Sequence, residues 1–407
     1  MNQTTSFLPL SRLMPLLLLL LSPLVAEAAS PYEMAFDNAM GSMYAIDYDT
    51  ASVQFEEAIR LEPANPRAYL YLASTYWMKI LRLRNSLQST AFGLPPDLYA
   101  PPNESSIEPG LREKFENTIR QMKEKTDALI TSNPKNAEAI FWLGMAEGCE
   151  SVFIITVDHK IFAAKSHADR SFELMEQAVA LDPTFKDPLF AMGMHMHLLG
   201  TRGLFTRMVL KLMGYRVSKE EGRKFVEIAA SEARYVRDDA KLGLLLCNIR
   251  EERWHEAVKV TQEILTKFPQ DSLIAMSMGR IQASLGEYNG AVKTFENILT
   301  RINQNQRGYR TLSSSEINLR LALALLGNGR TQDAQAALER ALQDKHITTI
   351  VKAAALLTLG QCRDLLKDRP GAIAAYQATL VVTPKTPSHD KARQFLTQPY
   401  DGKVPPG

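Results

Sequence analysis

Two stretches of the sequence carry the same pattern of residues at a fixed interval. They are "REERWHEAVKVTQEILTKFP", from Arg250 to Pro269, and "LGEYNGAVKTFENILTR", from Leu285 to Arg301. When the two are aligned, three pairs of similar residues stand 34 positions apart: Trp254 and Tyr288, Ala257 and Ala291, and Ile264 and Ile298. Self-similarity at a fixed period of this length indicates a repeat architecture. The interval therefore predicts a chain built from one structural unit that is used several times.

The repeating unit reads as two helices joined by a short polar turn. The apolar segment "AKLGLLLCNI" (240–249) is followed by the turn "REER" and by "WHEAVKVTQEILTKF" (254–268), which ends at Pro269. Proline lacks an N–H and its ring clashes with the preceding turn, so it stops the second helix. One helix pair cannot bury its apolar side alone, so neighbouring pairs must stack. Similar blocks begin near Asp47, Ser272, Ser315 and Ala353.

This pattern resembles the tetratricopeptide repeat family, whose signature combines a Leu-Gly pair in the first helix with alanine and aromatic positions and a closing proline. The matching positions are the pairs Leu143-Gly144, Met192-Gly193, Met278-Gly279 and Leu359-Gly360, the turn aromatics Tyr48, Trp254 and Tyr288, the alanines Ala51, Ala257, Ala291, Ala334 and Ala372, the aromatics Phe55, Phe295 and Tyr376, and the prolines Pro63, Pro134, Pro183, Pro269 and Pro384. The resemblance implies an all-α fold, a right-handed α-solenoid of about six to eight helix pairs between Ser30 and about Leu396. It also implies a non-catalytic scaffold that binds another protein or a peptide.

The N-terminus has the features of a secretory signal peptide. Arg12 precedes an apolar run from Leu13 to Val25, and the small-residue motif "AEA" follows at 26–28. We predict removal of residues 1–28 and a mature chain that begins near Ala29, in the periplasm or outside the cell. The alternative is an uncleaved anchor, but the run has 13 residues, whereas a spanning helix needs roughly 20. We expect no second apolar run of spanning length.

Charge and cysteine content narrow the class of protein. Lys and Arg number 47 and Asp and Glu 45, so the net charge is +2. A balance this close to neutral argues against nucleic acid as a partner. The three cysteines, Cys149, Cys247 and Cys362, are odd in number and lie in apolar helical segments. Buried free thiols are the favoured interpretation, although one disulfide is open to an exported chain.

Three inserted stretches interrupt the 34-residue period. The first, from about Lys79 to Gly110, contains a proline-rich loop at about 92–110, and the second, from Cys149 to Ser171, is expected to lengthen a helix pair. The third lies at about 197–224. These interruptions predict N-terminal repeats with insertions at 29–235, a regular C-terminal array at 236–396 and a flexible tail at 397–407.

The third insertion has an amphipathic and basic character. Its apolar residues can share one helix face, and they are Leu204, Phe205, Met208, Leu212 and Met213. Its cations are Arg202, Arg207, Lys211, Arg216 and Lys219. The favoured interpretation is an extra helix that caps the neighbouring repeat, because repeat arrays pack their insertions back on themselves. The alternative is a helix that lies on a membrane surface, as in a peripheral assembly factor.

The sequence contains no strong catalytic, cofactor or metal signature. His195 and His197 point about 200° apart on a helix, so they cannot easily hold one metal, and His159 and His167 would need long-range assembly. We therefore expect no metal, no cofactor and no catalytic residue. The alternative is an enzyme on stacked helices, such as a carbohydrate-active one, which would need two carboxylates facing one cleft.

The concave groove of the array is the predicted partner-binding surface. First helices line the groove in this type of array, and the motif places Leu242, Leu246, Met276, Arg280, Leu319, Leu323, Leu357 and Gln361 there. Of these, we predict Met276, Arg280, Leu319, Leu323, Leu357 and Gln361 as partner-binding residues. A mostly apolar groove suits an amphipathic helix or an extended apolar peptide. The alternative is that neighbouring repeats bury these side chains.

Overall fold

Every regular element that the structure describes is an α-helix. The computed structural model describes residues 29–84, 86 and 110–402. Its helices in these ranges are α1 (Pro31–Tyr44), α2 (Tyr48–Leu61), α3 (Pro66–Leu83), α4 (Leu111–Ser132), α5 (Ala137–Val157), α6 (Ile161–Leu181), α7 (Pro188–Gly200), α8 (Leu204–Leu212), α9 (Lys219–Glu232), α10 (Arg237–Arg250), α11 (Trp254–Lys267), α12 (Ser272–Ser284), α13 (Tyr288–Asn303), α14 (Ser314–Gly327), α15 (Thr331–Gln343), α16 (Thr349–Leu365), α17 (Arg369–Leu380) and α18 (Ser388–Thr397). The predicted signal peptide and the predicted loop before Gly110 lie outside the described residues.

The helices pack as a series of pairs, each in contact with the next. Within the described ranges the pairs are α1/α2, α3/α4, α5/α6, α7/α9, α10/α11, α12/α13, α14/α15 and α16/α17, and α18 covers the last pair. This arrangement confirms the predicted all-α solenoid. The second insertion lengthens α5 and α6 to 21 residues each, and the third contributes α8 between the two members of the α7/α9 pair.

Small residues on the first helices set how closely the paired helices approach. A Cβ at Gly279 would lie 2.6 Å from the ring of Phe295, and a Cβ at Gly360 would lie 2.3 Å from the ring of Tyr376. Both rings are fully buried. At these two pairs, a helix therefore takes the aromatic ring of its partner against its own backbone.

Prolines and polar caps define the ends of the helices. α2, α4, α6 and α11 each end two residues before a proline, as the closing prolines predicted. At the other end, the side chain of Asp271 accepts hydrogen bonds from the N–H groups of Leu273 and Ile274, 3.0 Å away, and caps α12. Burial raises the pKa of the Asp271 carboxyl to about 7, since the surrounding apolar side chains disfavour its charge.

The first repeats fold back onto the middle of the array. The ring of Tyr44, at the end of α1, stacks on that of Phe268 after α11, with centroids 3.7 Å apart. The Tyr71 hydroxyl donates a hydrogen bond to Asp239, and Gln270 Nε2 donates to the carbonyl of Gly41 at 3.2 Å. One hydrophobic cluster accordingly includes residues of α1–α5 and of α10–α12. We call this set of interactions the closing contact. It joins the two predicted segments 29–235 and 236–396, whose division stays a prediction.

The cysteines are free thiols in the structure, as predicted. Cys247 and Cys362 are buried and Cys149 is half-buried. Burial raises the pKa of each thiol to about 12, so each stays protonated at neutral pH and reacts poorly as a nucleophile.

By length and composition, α5 is a helix that could cross a membrane. The expectation that no second run of spanning length exists is therefore wrong on composition. In the structure α5 packs along α6 and also contacts α3 and α4, and its apolar residues include the fully buried Phe141 and Phe153. These are the contacts of a core helix.

The close approach at Gly279 leads to a stability prediction. Alanine favours helix by about 1 kcal/mol over glycine, but at Gly279 its Cβ would collide with the buried ring of Phe295. We expect Gly279→Ala to destabilise the fold by roughly 1–3 kcal/mol. The matched control is Gly290→Ala, where the new Cβ meets the end of the Gln282 side chain at 3.0 Å. Melting temperatures measured by circular dichroism should be highest for Gly290→Ala, intermediate for the parent and lowest for Gly279→Ala. A variant at Gly279 that melts with the parent would contradict the packing argument.

Candidate functional site

The structure places most of the predicted groove residues in the interior. Met276 and Leu319 are 3% and 2% exposed, and Leu357 and Gln361 are fully buried. Met276 and Leu319 belong to the cluster that fills the repeats from α12 to α16, and Leu357 belongs to the cluster beneath α18. These four side chains pack against the protein itself. Arg280 and Leu323, together with Leu242 and Leu246, are partly exposed. No binding experiment tests the six as a partner site, which stays a prediction.

The packing of the first helices causes the burial of these four side chains. α14 is in contact with α12, α13, α15 and α16, and α16 is in contact with α14, α15, α17 and α18. Each of these first helices therefore has neighbours on nearly every side. A motif position that faces the groove in an open array faces another helix here.

A recess with charged walls lies at the closing contact. It has a volume of about 320 Å³, and its walls come from the turn between α1 and α2, the end of α3 and the turn between α13 and α14. The charged residues of its lining are Asp47, Asp49, Lys79, Arg82, Arg307 and Arg310. We call it the cationic recess. Its volume is at the lower end for ligand sites, which suits a chain terminus or a few side chains.

The ion pairs of the cationic recess hold its two walls together. Arg307 Nη2 lies 3.3 Å from Asp47 Oδ2 and donates to the hydroxyl of Ser42 at 2.7 Å. Lys79 Nζ lies 2.8 Å from Asp49 Oδ1, and Arg82 donates to the carbonyl of Ile46 at 2.8 Å. Among the described residues that line the recess, four are cations and two are carboxylates, so their charges sum to a positive value.

Arg310 is the cation of the recess that is held most weakly. Its Nη2 lies 4.0 Å from Asp47 Oδ2, and half of its side chain is exposed. Because an exposed guanidinium can form two parallel hydrogen bonds to a carboxylate, Arg310 can reach a carboxylate of a ligand. Sequence reasoning missed this site, since Arg307 and Arg310 lie 260 and more residues from Asp47 along the chain. Nothing in the repeat motif links those positions.

A second cluster gathers two carboxylates and a histidine on α5 and α6. Ligand atoms of Glu147, Glu150 and His167 lie within 4.8 Å of one another. The ammonium of Lys123 lies 2.7 Å from each carboxylate, and His167 Nδ1 lies 2.7 Å from Glu147. Partial burial alone would raise the pKa of Glu147, but the hydrogen bonds from Lys123 and His167 lower it. The lysine therefore offsets one of the two negative charges, and Glu147, whose pKa is lowered, is a poor general acid.

The remaining histidines do not join that cluster. His197 is fully buried, and its Nδ1 lies 3.2 Å from the carbonyl of Lys219. His195 packs instead against Phe172 and Tyr215. Burial lowers the pKa of both imidazoles, so both are neutral at neutral pH. His159 lies in the turn before α6 and is exposed.

Comparison with known proteins identifies the class of the repeats. Residues 319–389 match the sequence profile of the tetratricopeptide repeat. These residues begin within α14 and end within α18, and they include the Leu-Gly pair at 359–360. This part of the chain therefore has the sequence pattern of tetratricopeptide repeats. No curated protein sequence matches it.

Several solved structures are similar to this chain at low scores. Yeast Tom70 has a TM-score of 0.36 at 14% identity, with 91% of this chain and 89% of that chain covered. Human IFIT1, solved as a dimer with m7Gppp-AAAA, has a TM-score of 0.41 at 14% identity, with 91% and 88% covered. A tetratricopeptide repeat protein from Parabacteroides merdae has a TM-score of 0.27 at 11% identity, with 80% and 97% covered.

The different burial of two predicted groove leucines can be tested directly. Leu319 is 2% exposed, so Leu319→Ser leaves a cavity and an unpaired hydroxyl and should cost roughly 3 kcal/mol or more. Leu323, one helical turn further on, is partly exposed, and Leu323→Ser should cost about 1 kcal/mol. Urea unfolding should give clearly different free energies of unfolding for the two single variants. Equal losses would mean that Leu323 is as much a core residue as Leu319.

Proposed function

We propose that this chain is an exported, non-catalytic scaffold that binds another protein through the cationic recess. The observation that carries the proposal is the recess itself, where Lys79, Arg82, Arg307 and Arg310 outnumber Asp47 and Asp49. The tetratricopeptide repeats support a protein as the partner, because stacked helix pairs commonly serve as binding surfaces for other chains. The predicted groove gives the proposal less support, because four of its six predicted partner-binding side chains are buried in the protein core.

An acidic segment of a partner, or its C-terminal carboxylate, is the proposed ligand of the recess. The guanidinium groups of Arg307 and Arg310 are about half exposed, so they can bind a carboxylate without leaving the array. Asp47 fixes both arginines from one side, because it caps α2 and accepts from the N–H of Thr50 at 3.4 Å. The ligand would enter between fixed walls, which lowers the entropy lost on binding.

A capture experiment tests the recess. The tagged protein is cross-linked in its native envelope, and captured proteins are quantified for the parent, Arg310→Glu and Arg330→Glu. Arg330 is the matched control, because it is similarly exposed and pairs with Asp333 at 2.7 Å on another part of the array. We expect Arg310→Glu to weaken capture of an acidic partner roughly tenfold or more, while Arg330→Glu leaves it unchanged.

Two results of that experiment would contradict the recess as the binding site. With Leu323→Ser added to the set of variants, one is a partner that Arg310→Glu retains and Leu323→Ser loses, which would place the site in the predicted groove. The other is equal capture by the parent and by both arginine variants. Melting temperatures of all variants show whether a loss of capture is a loss of folding.

The export part of the proposal concerns the N-terminus. The apolar run at 13–25 and the "AEA" motif at 26–28 support removal of the first residues outside the cytoplasm. N-terminal sequencing of the protein from its own cells should return a start near Ala29. Leu18→Arg, which places a charge in the apolar run, should leave the full-length precursor in the cytoplasm. A parent protein that begins at Met1 and stays in the cytosol would refute export.

A further inference from the structure

α8 turns its apolar face away from the protein. At 100° per residue, Leu204, Phe205, Met208, Val209 and Leu212 fall within an arc of about 140°. Leu204 is 78%, Phe205 75% and Leu212 81% exposed, and α8 has no buried residue. The opposite side of the helix holds Leu210 and Arg207, which are half-buried against the array. The apolar residues that the sequence groups on one helix face are therefore directed away from the array, and the expectation that the insertion caps the neighbouring repeat stays a prediction.

The tip of the long α5/α6 pair adds to the same exposed surface. Phe162 is 94% and Ile161 68% exposed, and both lie in the first turn of α6. Lys165, in the next turn, has its Nζ 5.0 Å from the ring centre of Tyr215, which follows α8. Arg216 pairs with Glu176 of α6 at 2.9 Å. These two contacts hold the C-terminal end of α8 beside α6, so that two insertions of the sequence converge on one surface. We call Leu204–Leu212 with Ile161 and Phe162 the apolar platform.

The segment of the sequence that contains α8 carries positive charges and no negative ones. Between residues 188 and 219 the sequence has five Lys and Arg and no Asp or Glu, in a chain whose total charge is only +2. Lys160, Arg202 and Lys211 border the platform and are exposed. None of the three makes an ion pair within residues 29–84 and 110–402, whereas Lys165 and Arg216 have acidic partners there. The unpaired cations therefore lie beside the outward-facing apolar side chains.

We propose that the apolar platform binds the surface of an anionic lipid membrane. Leu204, Phe205, Leu212 and Phe162 would enter the boundary between headgroups and acyl chains, while Lys160, Arg202 and Lys211 contact lipid phosphates. A helix with an apolar face directed outward and cations at its edge is the arrangement found in interfacial helices. Large exposed apolar patches on soluble proteins mark interaction sites.

The charge also decides between a membrane and other occupants. A second copy of the chain would bring two such positive segments face to face in a symmetric dimer, which is unfavourable. An apolar partner helix would need a groove, whereas the platform consists of the outer side of α8, which packs on α7, and the first turn of α6. A negatively charged lipid surface complements both the cations and the apolar face. This inference concerns a different surface from the cationic recess and does not depend on the proposed function.

A tryptophan placed on α8 tests the inference locally. The whole chain carrying Phe205→Trp is mixed with vesicles of phosphatidylcholine alone, or of phosphatidylcholine and phosphatidylglycerol in equal parts, each containing brominated lipid. We expect quenching of the added emission on the anionic vesicles and little on the neutral ones. The matched control is Val381→Trp, because Val381 is also exposed but lies after α17. Its emission should not be quenched. The apolar run at 13–25 cannot produce this difference, since the readout depends on the depth of residue 205.

Charge variants complete the test. Arg202→Glu with Lys211→Glu in the Phe205→Trp background should raise the lipid concentration for half-maximal quenching by roughly fivefold or more per charge. High salt should also raise the lipid concentration needed for half-maximal quenching.

Three results would overturn the proposal: no quenching at residue 205 on anionic vesicles, equal quenching on neutral vesicles, or quenching that the two charge reversals leave unchanged. A dimer that Leu212→Ser dissociates, without any vesicle binding by the parent, would show that a second copy covers the surface instead.

Discussion

The structure depends on the close approach of two helices at a glycine. Gly279 and Gly360 let the rings of Phe295 and Tyr376 lie against a helix backbone, where any Cβ would collide with them. This contact fixes the distance within a helix pair, and the pair in turn presents the apolar side on which the next pair stacks. A backbone version of this contact occurs where α7 meets α9, since a Cβ at Gly193 would lie 2.7 Å from the carbonyl oxygen of Gly222. Contacts between paired helices at glycines therefore recur along the array.

The closing contact changes which surfaces such an array offers to a ligand. Tyr44 on Phe268 and Tyr71 on Asp239 join the first two repeats to the middle of the chain. Burial raises the pKa of Asp239 to about 6, because the closing contact removes this carboxyl from part of its solvent. The junction also forms the cationic recess, because the turn between α1 and α2 meets the turn after α13 only when the array folds back. A surface made from two distant turns has fixed walls and little room, which favours a small acidic ligand over a long helix.

The insertions add a second accessible surface. The α5/α6 pair and α8 carry the residues that do not fit the 34-residue period, and they meet through Lys165 and Tyr215. Their apolar side chains face outward because α8 contacts the array through Leu210 and Arg207. The repeats supply the rigid support, and the insertions supply surface chemistry that the repeats lack. The recess and the apolar platform would then allow one chain to hold a protein near a membrane.

The sequence by itself determined the helix pairs, their ends and their order. Glycine, aromatic and proline positions act over one or two turns, so their spacing is a local property that a single sequence displays. The tertiary structure alone decided which side chains remain accessible. Leu319 and Leu357 are buried because α14 and α16 have helices on nearly every side. Arg310 reaches Asp47 only through the closing contact, and the apolar face of α8 is exposed because Leu210 and Arg207 face the array. Burial depends on neighbours that are distant in sequence, and a repeat pattern contains no information about them.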